Sequence, residues 1–233
     1  MDSIKALLAF KQAYQVTLIH NLSETSSAVD NFMYELRSVH IQNDKEKFRN
    51  NIQKIGRVIG YEISKTITYK KKKVQTPLKE HNQNIIADDI VVVTILRAGL
   101  PLHQGILDVF PQAENGFISA YRKHDGDDFV IEVEYIACPS LENKVLILND
   151  PMLATGQSFI NAWKALSQMG KPKRVILAAV IGSEEGVRYI EKNAEGPFDL
   201  WVAAIDPVLN DQKYIVPGLG DAGDLAYGTK IQH

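Results

Sequence analysis

The chain is 233 residues long, room for one large domain or two small ones, and its 45% hydrophobic residues can build a substantial core, which argues against a disordered polymer. A formal charge of -2, from 26 basic and 28 acidic side chains, gives no general attraction to nucleic acid or to a membrane surface, so anion binding has to come from local clusters. A lone cysteine, Cys138, excludes an internal disulfide framework and a multi-cysteine zinc site, and fits a reducing compartment with the cytoplasm as the default.

The opening stretch, MDSIKALLAFKQAYQ, sets Lys5 and Lys11 around an apolar run too short for a secretory leader and reads as an amphipathic helix. No segment reaches the roughly 18 apolar residues of a membrane span. Up to about Lys65 the pattern stays helical, with Phe48, Ile52, Ile55, Val58 and Ile59 recurring every three or four positions, and no strong strand is expected there. TITYKKKKVQTP (66–77) follows, a strand-like arm whose lysines fit a solvated edge that discourages sheet pairing better than they fit a phosphate site.

From Ile90 the rhythm changes. The runs IVVVTIL (90–96), GFISAY (116–121), KVLIL (144–148), RVILAAV (174–180) and FDLWVAA (198–204) suit strands buried on both faces, and helices are predicted between them over about 102–109, 157–169 and 184–193. This is the βαβ signature of an α/β protein with a central, mostly parallel sheet flanked by helices. DDFVIEVEY (127–135) alternates apolar and charged residues and reads as a half-exposed hairpin or flap. No Pro/Gly-rich linker divides the chain, so one domain over 1–233 with a helical preface is the expectation.

In an open parallel sheet, ligands bind beyond the carboxyl ends of the strands. KVLILND ends in Asp150, and PMLATGQS then turns into a helix, so that Thr155, Gly156, Gln157 and Ser158 can offer backbone N–H groups and two hydroxyls to a phosphate. An acid beside an anion cradle makes sense if the ligand brings hydroxyls or a Mg²⁺ ion, as a sugar phosphate does. The loop by itself equally admits a plain reading, with Asp150 and Ser158 capping turns. Arg97 in TILRAGLPL, beside Gly99 where a sharp turn is expected, and Arg122 in ISAYRKHDGDD stand at two further strand ends, and paired arginines there suit a diphosphate.

Near the other end, YIVPGLGDAGD holds a literal GxGxxG from Gly218 to Gly223, but it neither follows a first strand nor opens a βαβ unit. Its glycines read instead as an irregular loop whose backbone comes close to a flat base. The chain has no Walker A lysine loop, HExxH pair or Gly-x-Ser-x-Gly elbow, and Cys138 carries no thiolate-activating motif.

ILRAGL, AYR, NDPMLATGQS and YIVPGLGDAGD, in that order and spacing, resemble uracil phosphoribosyltransferase of the type I phosphoribosyltransferase family, from about Asn31 onward. The resemblance implies transfer of phosphoribosyl from phosphoribosyl diphosphate to uracil, giving UMP and pyrophosphate in pyrimidine salvage, with Mg²⁺ arriving on the diphosphate rather than on a dedicated set of ligands. It implies that Arg97, Arg122, Asp221 and the run Asp150, Pro151, Met152, Leu153, Ala154, Thr155, Gly156, Gln157 and Ser158 hold the donor. Ile215, Gly220, Asp221 and Ala222 would hold uracil, with Asp221 and Arg122 as the catalytic pair. It further implies a homo-oligomer, dimer or higher, with neither nucleic acid nor membrane as partner; some relatives respond to GTP, and no motif here decides that.

Three features depart from the family pattern. Gln157 replaces a second glycine, where a Cβ is expected to crowd the phosphate or force a different φ; Asn149 replaces an aliphatic residue; and the flap after Arg122 differs, with Ala137 in place of a lysine. The first 15 or so residues read as an extension. The drifted flap leaves a second reading, a weak or inactive nucleotide-binding regulator of the same family. Retention of Arg97, Arg122, Asp150 and Asp221 favours catalysis over it, and the complete final loop disfavours another base.

Overall fold

A computed structural model describes residues 17–125 and 128–230, with the backbone path alone for 120–125 and 128–134. The expected extension at 1–15 lies outside the described residues. In chain order the elements are β1 (Leu18–Asn21), α1 (Ala28–Arg37), α2 (Lys45–Ser64), β2 (Tyr69–Gln75), β3 (Glu80–Ile86), β4 (Ile90–Leu96), α3 (Leu100–Val109), β5 (Glu114–Asp125) and β6 (Asp128–Ala137). They continue as β7 (Val145–Asn149), β8 (Met152–Leu153), α4 (Gln157–Leu166), β9 (Arg174–Ser183), α5 (Glu184–Asn193), β10 (Asp199–Asp206), β11 (Val208–Leu209), β12 (Ile215–Val216) and α6 (Ala222–Tyr227).

One sheet runs β1-β10-β9-β7-β4-β5-β6, with β8 also paired to β9. Every pairing in it is parallel except that of β5 with β6, the antiparallel flap. Successive strand residues serve opposite cores. Val92, Ile147, Ile176 and Ala178 pack with Phe48, Ile52 and Leu102 of α2 and α3, while Val91, Val93, Leu146 and Leu177 pack with Phe159, Ile160 and Ile190 of α4 and α5. Burial on both faces is why these strands read as continuous apolar runs.

Three expectations need correction. The N-terminal third is not free of strands: β1 pairs with β10 at the sheet edge, Leu18 beside Asp199 through Asn21 beside Val202. Four residues are too few to show alternation, and the sheet edge rather than local propensity fixes them as a strand. The lysine arm is a two-stranded hairpin standing off the main sheet, its second strand β3 too polar to declare itself, and every residue of β2 is exposed. The glycine-rich final motif is not wholly irregular, because Asp221 caps a six-residue helix, α6.

Candidate active site

The carboxyl ends of β4, β7 and β9 and the segment from β12 to α6 meet at one rim. β7 ends at Asn149, whose buried side chain accepts a hydrogen bond from Thr94 Oγ1 at 2.9 Å and donates to the Val93 carbonyl at 2.9 Å. The departure at Asn149 therefore has a partner on the neighbouring strand and joins β4 to β7 directly behind the rim.

Asp150 follows, half-buried, its N–H donating to Ala178 O at 3.1 Å. Burial pushes the Asp150 carboxyl up to about 7; the Met152 N–H, donating to Oδ1 at 3.3 Å, opposes the shift, and the nearby Asp221 charge adds to it.

The run after Asp150 divides in two. Pro151 and Leu153 are buried, the Pro151 carbonyl accepts from Val180 and Ile181, and β8 lies beside Ile181 and Gly182 of β9, so this part is anchored to the sheet. Leu153 belongs to the core under α4. Ala154, Thr155, Gln157 and Ser158 are half-buried and form the accessible part, with the Ala154 carbonyl fixed by Ser183 Oγ at 2.6 Å.

Gly156 precedes α4 with φ 78, and a Cβ there would stand 2.8 Å from the Gly186 carbonyl. Gln157 opens the helix and is not among the positive-φ residues; the left-handed turn falls on Gly156, so Gln157 forces no unusual φ. The Gln157 N–H lies 3.4 Å from Thr155 Oγ1. The first amides of α4 lack partners inside the helix and carry the positive end of its dipole, which is the chemistry of an anion cradle.

Arg97 is exposed just past β4. Its Nη2 donates to the Gly228 carbonyl at 3.2 Å and lies 3.7 Å from Asp224 Oδ1, so the guanidinium rests against the two ends of α6. The chain turns over 97–99, the Gly99 N–H donating to the Ile95 carbonyl at 3.1 Å; Gly99 itself has an ordinary helical φ of -70 and is required there by space, since a Cβ would meet Thr94 Oγ1 at 2.0 Å. Arg122 does not stand at a strand end as expected: β5 continues to Asp125 and pairs Arg122 with Ile131 of β6, because the flap extends the strand; its side chain lies outside the described residues.

Ile215 is buried on β12, paired with Leu209 of β11. Gly220 is exposed at φ 91, Asp221 Oδ1 accepts from the Asp224 N–H at 3.0 Å as the cap of α6, and Ala222 is buried as the first residue of that helix. Asp224, Arg37 and Asp206 also belong to this rim and were not singled out from the sequence. Asp224 could have been, as a second acid one helical turn after Asp221; the other two become visible only through contacts distant in the chain.

Among the described residues, no cluster of three or more acidic, histidine or cysteine side chains forms a metal cage. Asp150, after β7, and Asp221, before α6, are oxygen donors of the kind that suits a Mg²⁺ ion taking its other ligands from phosphates and water. Cys138 is half-buried, and burial pushes its thiol up to about 11, away from nucleophile chemistry.

The family model for uracil phosphoribosyltransferase matches residues 23–229. A uracil phosphoribosyltransferase of Porphyromonas gingivalis is 49% identical over 215 residues, covering 92% of this chain and 99% of that protein. The solved structure of the AQ2163 protein from Aquifex aeolicus superposes with a TM-score of 0.81 at 31% identity, covering 92% of this chain and 100% of that one. A hypoxanthine phosphoribosyltransferase from Staphylococcus aureus shares the fold at a TM-score of 0.50 and 15% identity, covering 79% of this chain and 84% of that one. No helix of the described residues is long and apolar enough to cross a membrane. The chain belongs to the uracil phosphoribosyltransferase family.

Proposed function

We propose that this rim binds phosphoribosyl diphosphate and uracil and converts them to UMP and pyrophosphate. The observation that carries the reading is the contact of Arg97, just past β4, with the Gly228 carbonyl and Asp224, which sets the segment after the glycine loop on the same rim as Asp150 and the cradle. A ligand spanning that rim needs hydroxyls for the acids, a phosphate for the loop and a flat group for the glycine segment.

In this reading the amides and hydroxyls of Thr155 to Ser158 hold the 5'-phosphate, and Asp150 accepts from the ribose hydroxyls. Pro151, Met152 and Leu153 serve the donor by anchoring the loop, their backbone already paired with β9 and Asp150. Arg97 and Arg122 neutralise the diphosphate, and Arg97 leaves its rest against α6 to do so. Ile215, Gly220 and Ala222 present backbone donors and acceptors to uracil.

The C1'–O bond to diphosphate breaks with its electron pair leaving on the oxygen, the uracil N1–C1' bond forms, and the N1 proton passes to solvent. Positive charge builds on the sugar and negative charge on the leaving group, so the arginines and Asp221 interact more strongly with the transition state than with the substrates. Mg²⁺, held by the diphosphate with Asp221 and Asp150 nearby, would supply further neutralisation of the leaving group. No protein nucleophile is needed; the rest of the acceleration comes from holding the base beside C1'.

The chain is read as one domain that works in the cytoplasm as a dimer or higher assembly, the exposed β2–β3 arm offering a contact surface. Incubation with uracil, phosphoribosyl diphosphate and Mg²⁺ should yield UMP; nucleotide binding without UMP would overturn it.

A further inference from the structure

The glycine segment is held from outside by an ion pair with an unusual third partner. Arg37, the last residue of α1, forks onto Asp206, the last residue of β10, with Nη1 to Oδ2 and Nη2 to Oδ1 both at 2.7 Å. The same Nη1 donates to the Gly218 carbonyl at 2.9 Å, and the Gly218 N–H donates to Asp206 Oδ2 at 2.8 Å. Both backbone groups of one glycine are thus bound by the two members of one ion pair. Gln42 Nε2 reaches the Leu219 carbonyl at 3.4 Å and Arg49 Nη1 the Ala226 carbonyl at 2.7 Å, continuing the row along the same segment.

The Asp206 side chain is only 7% exposed. A buried ion pair adds little net stability over an apolar pair of similar size, but it fixes geometry, and its loss leaves a charge without a partner. Here the leftover donor and acceptor both address the residue two positions before Gly220. A base read by backbone groups depends on that backbone being held to within a fraction of an ångström.

We propose that Arg37 and Asp206 are positioning residues for base recognition, fixing residues 215–222 through Gly218 without touching either substrate. This rests on the reading of that segment as the uracil site.

Steady-state kinetics of Arg37→Met, Asp206→Asn and Arg37→Lys separate this role from general stabilisation. Arg37→Met should raise KM for uracil by about tenfold or more, the range expected when a site is displaced by a fraction of an ångström, and KM for phosphoribosyl diphosphate by much less, through Asp221 alone. Arg37→Lys, which keeps the charge but cannot fork, should fall between. Hydrogen exchange of the 214–221 peptide in the free protein should quicken in each variant while β4 and β7 stay protected. An unchanged uracil KM, an equal rise in both KM values, or unchanged exchange in the peptide overturns the proposal. If Arg37→Met or Asp206→Asn fails to fold, Arg37→Lys carries both measurements. Exchange does not depend on which base is used, so a wild-type protein inert toward uracil would sink the base reading while exchange still judged the clamp.

Discussion

The two halves of the site are built in different ways. The donor half is one continuous run, Asp150 to Ser158, held by its sheet neighbours: the Pro151 carbonyl by Val180 and Ile181, the Ala154 carbonyl by Ser183. The base half is also continuous, but its hold is shared between Asp206, 12 residues before Gly218, and the far end of the chain, Arg37 lying 181 residues away. A phosphate site thus follows from topology, because any βα turn at the carboxyl end of a parallel strand presents free amides. A base site at the same rim has to be assembled by tertiary contacts.

Asp221 joins the halves, so its change should have the largest effect. Asp221→Asn is expected to lower turnover by about a hundredfold or more, the size seen when one charge-organising group is lost from a site; near-native kcat would separate the halves. Next in size is Asn149→Leu, which removes the 2.9 Å acceptor of the buried Thr94 hydroxyl, leaves it only the Asn149 carbonyl at 3.4 Å, and should lower stability by about 1–3 kcal/mol in urea unfolding. Addition of Thr94→Val should recover part of that loss. If it recovers none, the strand pair is not what Asn149 is for.

The pH dependence of donor binding tests Asp150. With its carboxyl raised to about 7, KM for phosphoribosyl diphosphate should climb as pH falls through that value, and Asp150→Asn should flatten this limb. Stability carries the opposite sign. The unfolded carboxyl ionises near about 3.9 while the folded one holds its proton to about 7, so the free protein loses stability across that interval as pH rises. Asp150→Asn should therefore raise Tm more at pH 8 than at pH 5. The smallest effect is Gln157→Gly: turnover should stay level or rise, with a helix cost of at most about 1 kcal/mol. A large loss would mean that the Gln157 side chain makes a contact to the donor.

The same contrast decides what could be read in advance. β4, β7, β9 and β10 and helix α5 are legible because burial on both sheet faces and a strong apolar stripe leave plain marks in the sequence. Asp150 and the cradle follow from strand-end logic. β1, β3 and β8 carry no such mark; each exists because a partner strand offers it hydrogen bonds. Asn149 departs from the family pattern without visible cause because its partner Thr94 is 55 residues away, and nothing local marks Arg37, whose partners Asp206 and Gly218 lie 169 and 181 residues on. A helix over 222–227 was hidden by glycines, although Asp221 with an acid three residues on is a recognisable start.

The row of side chains from α1 and α2 that grips the glycine segment also sets an order of events during synthesis. Arg37, Gln42 and Arg49 leave the ribosome long before Gly218, as do all the strands that frame the cradle. A nascent chain can therefore complete its donor half and only afterwards receive the segment that selects the base, which docks onto a surface already waiting for it.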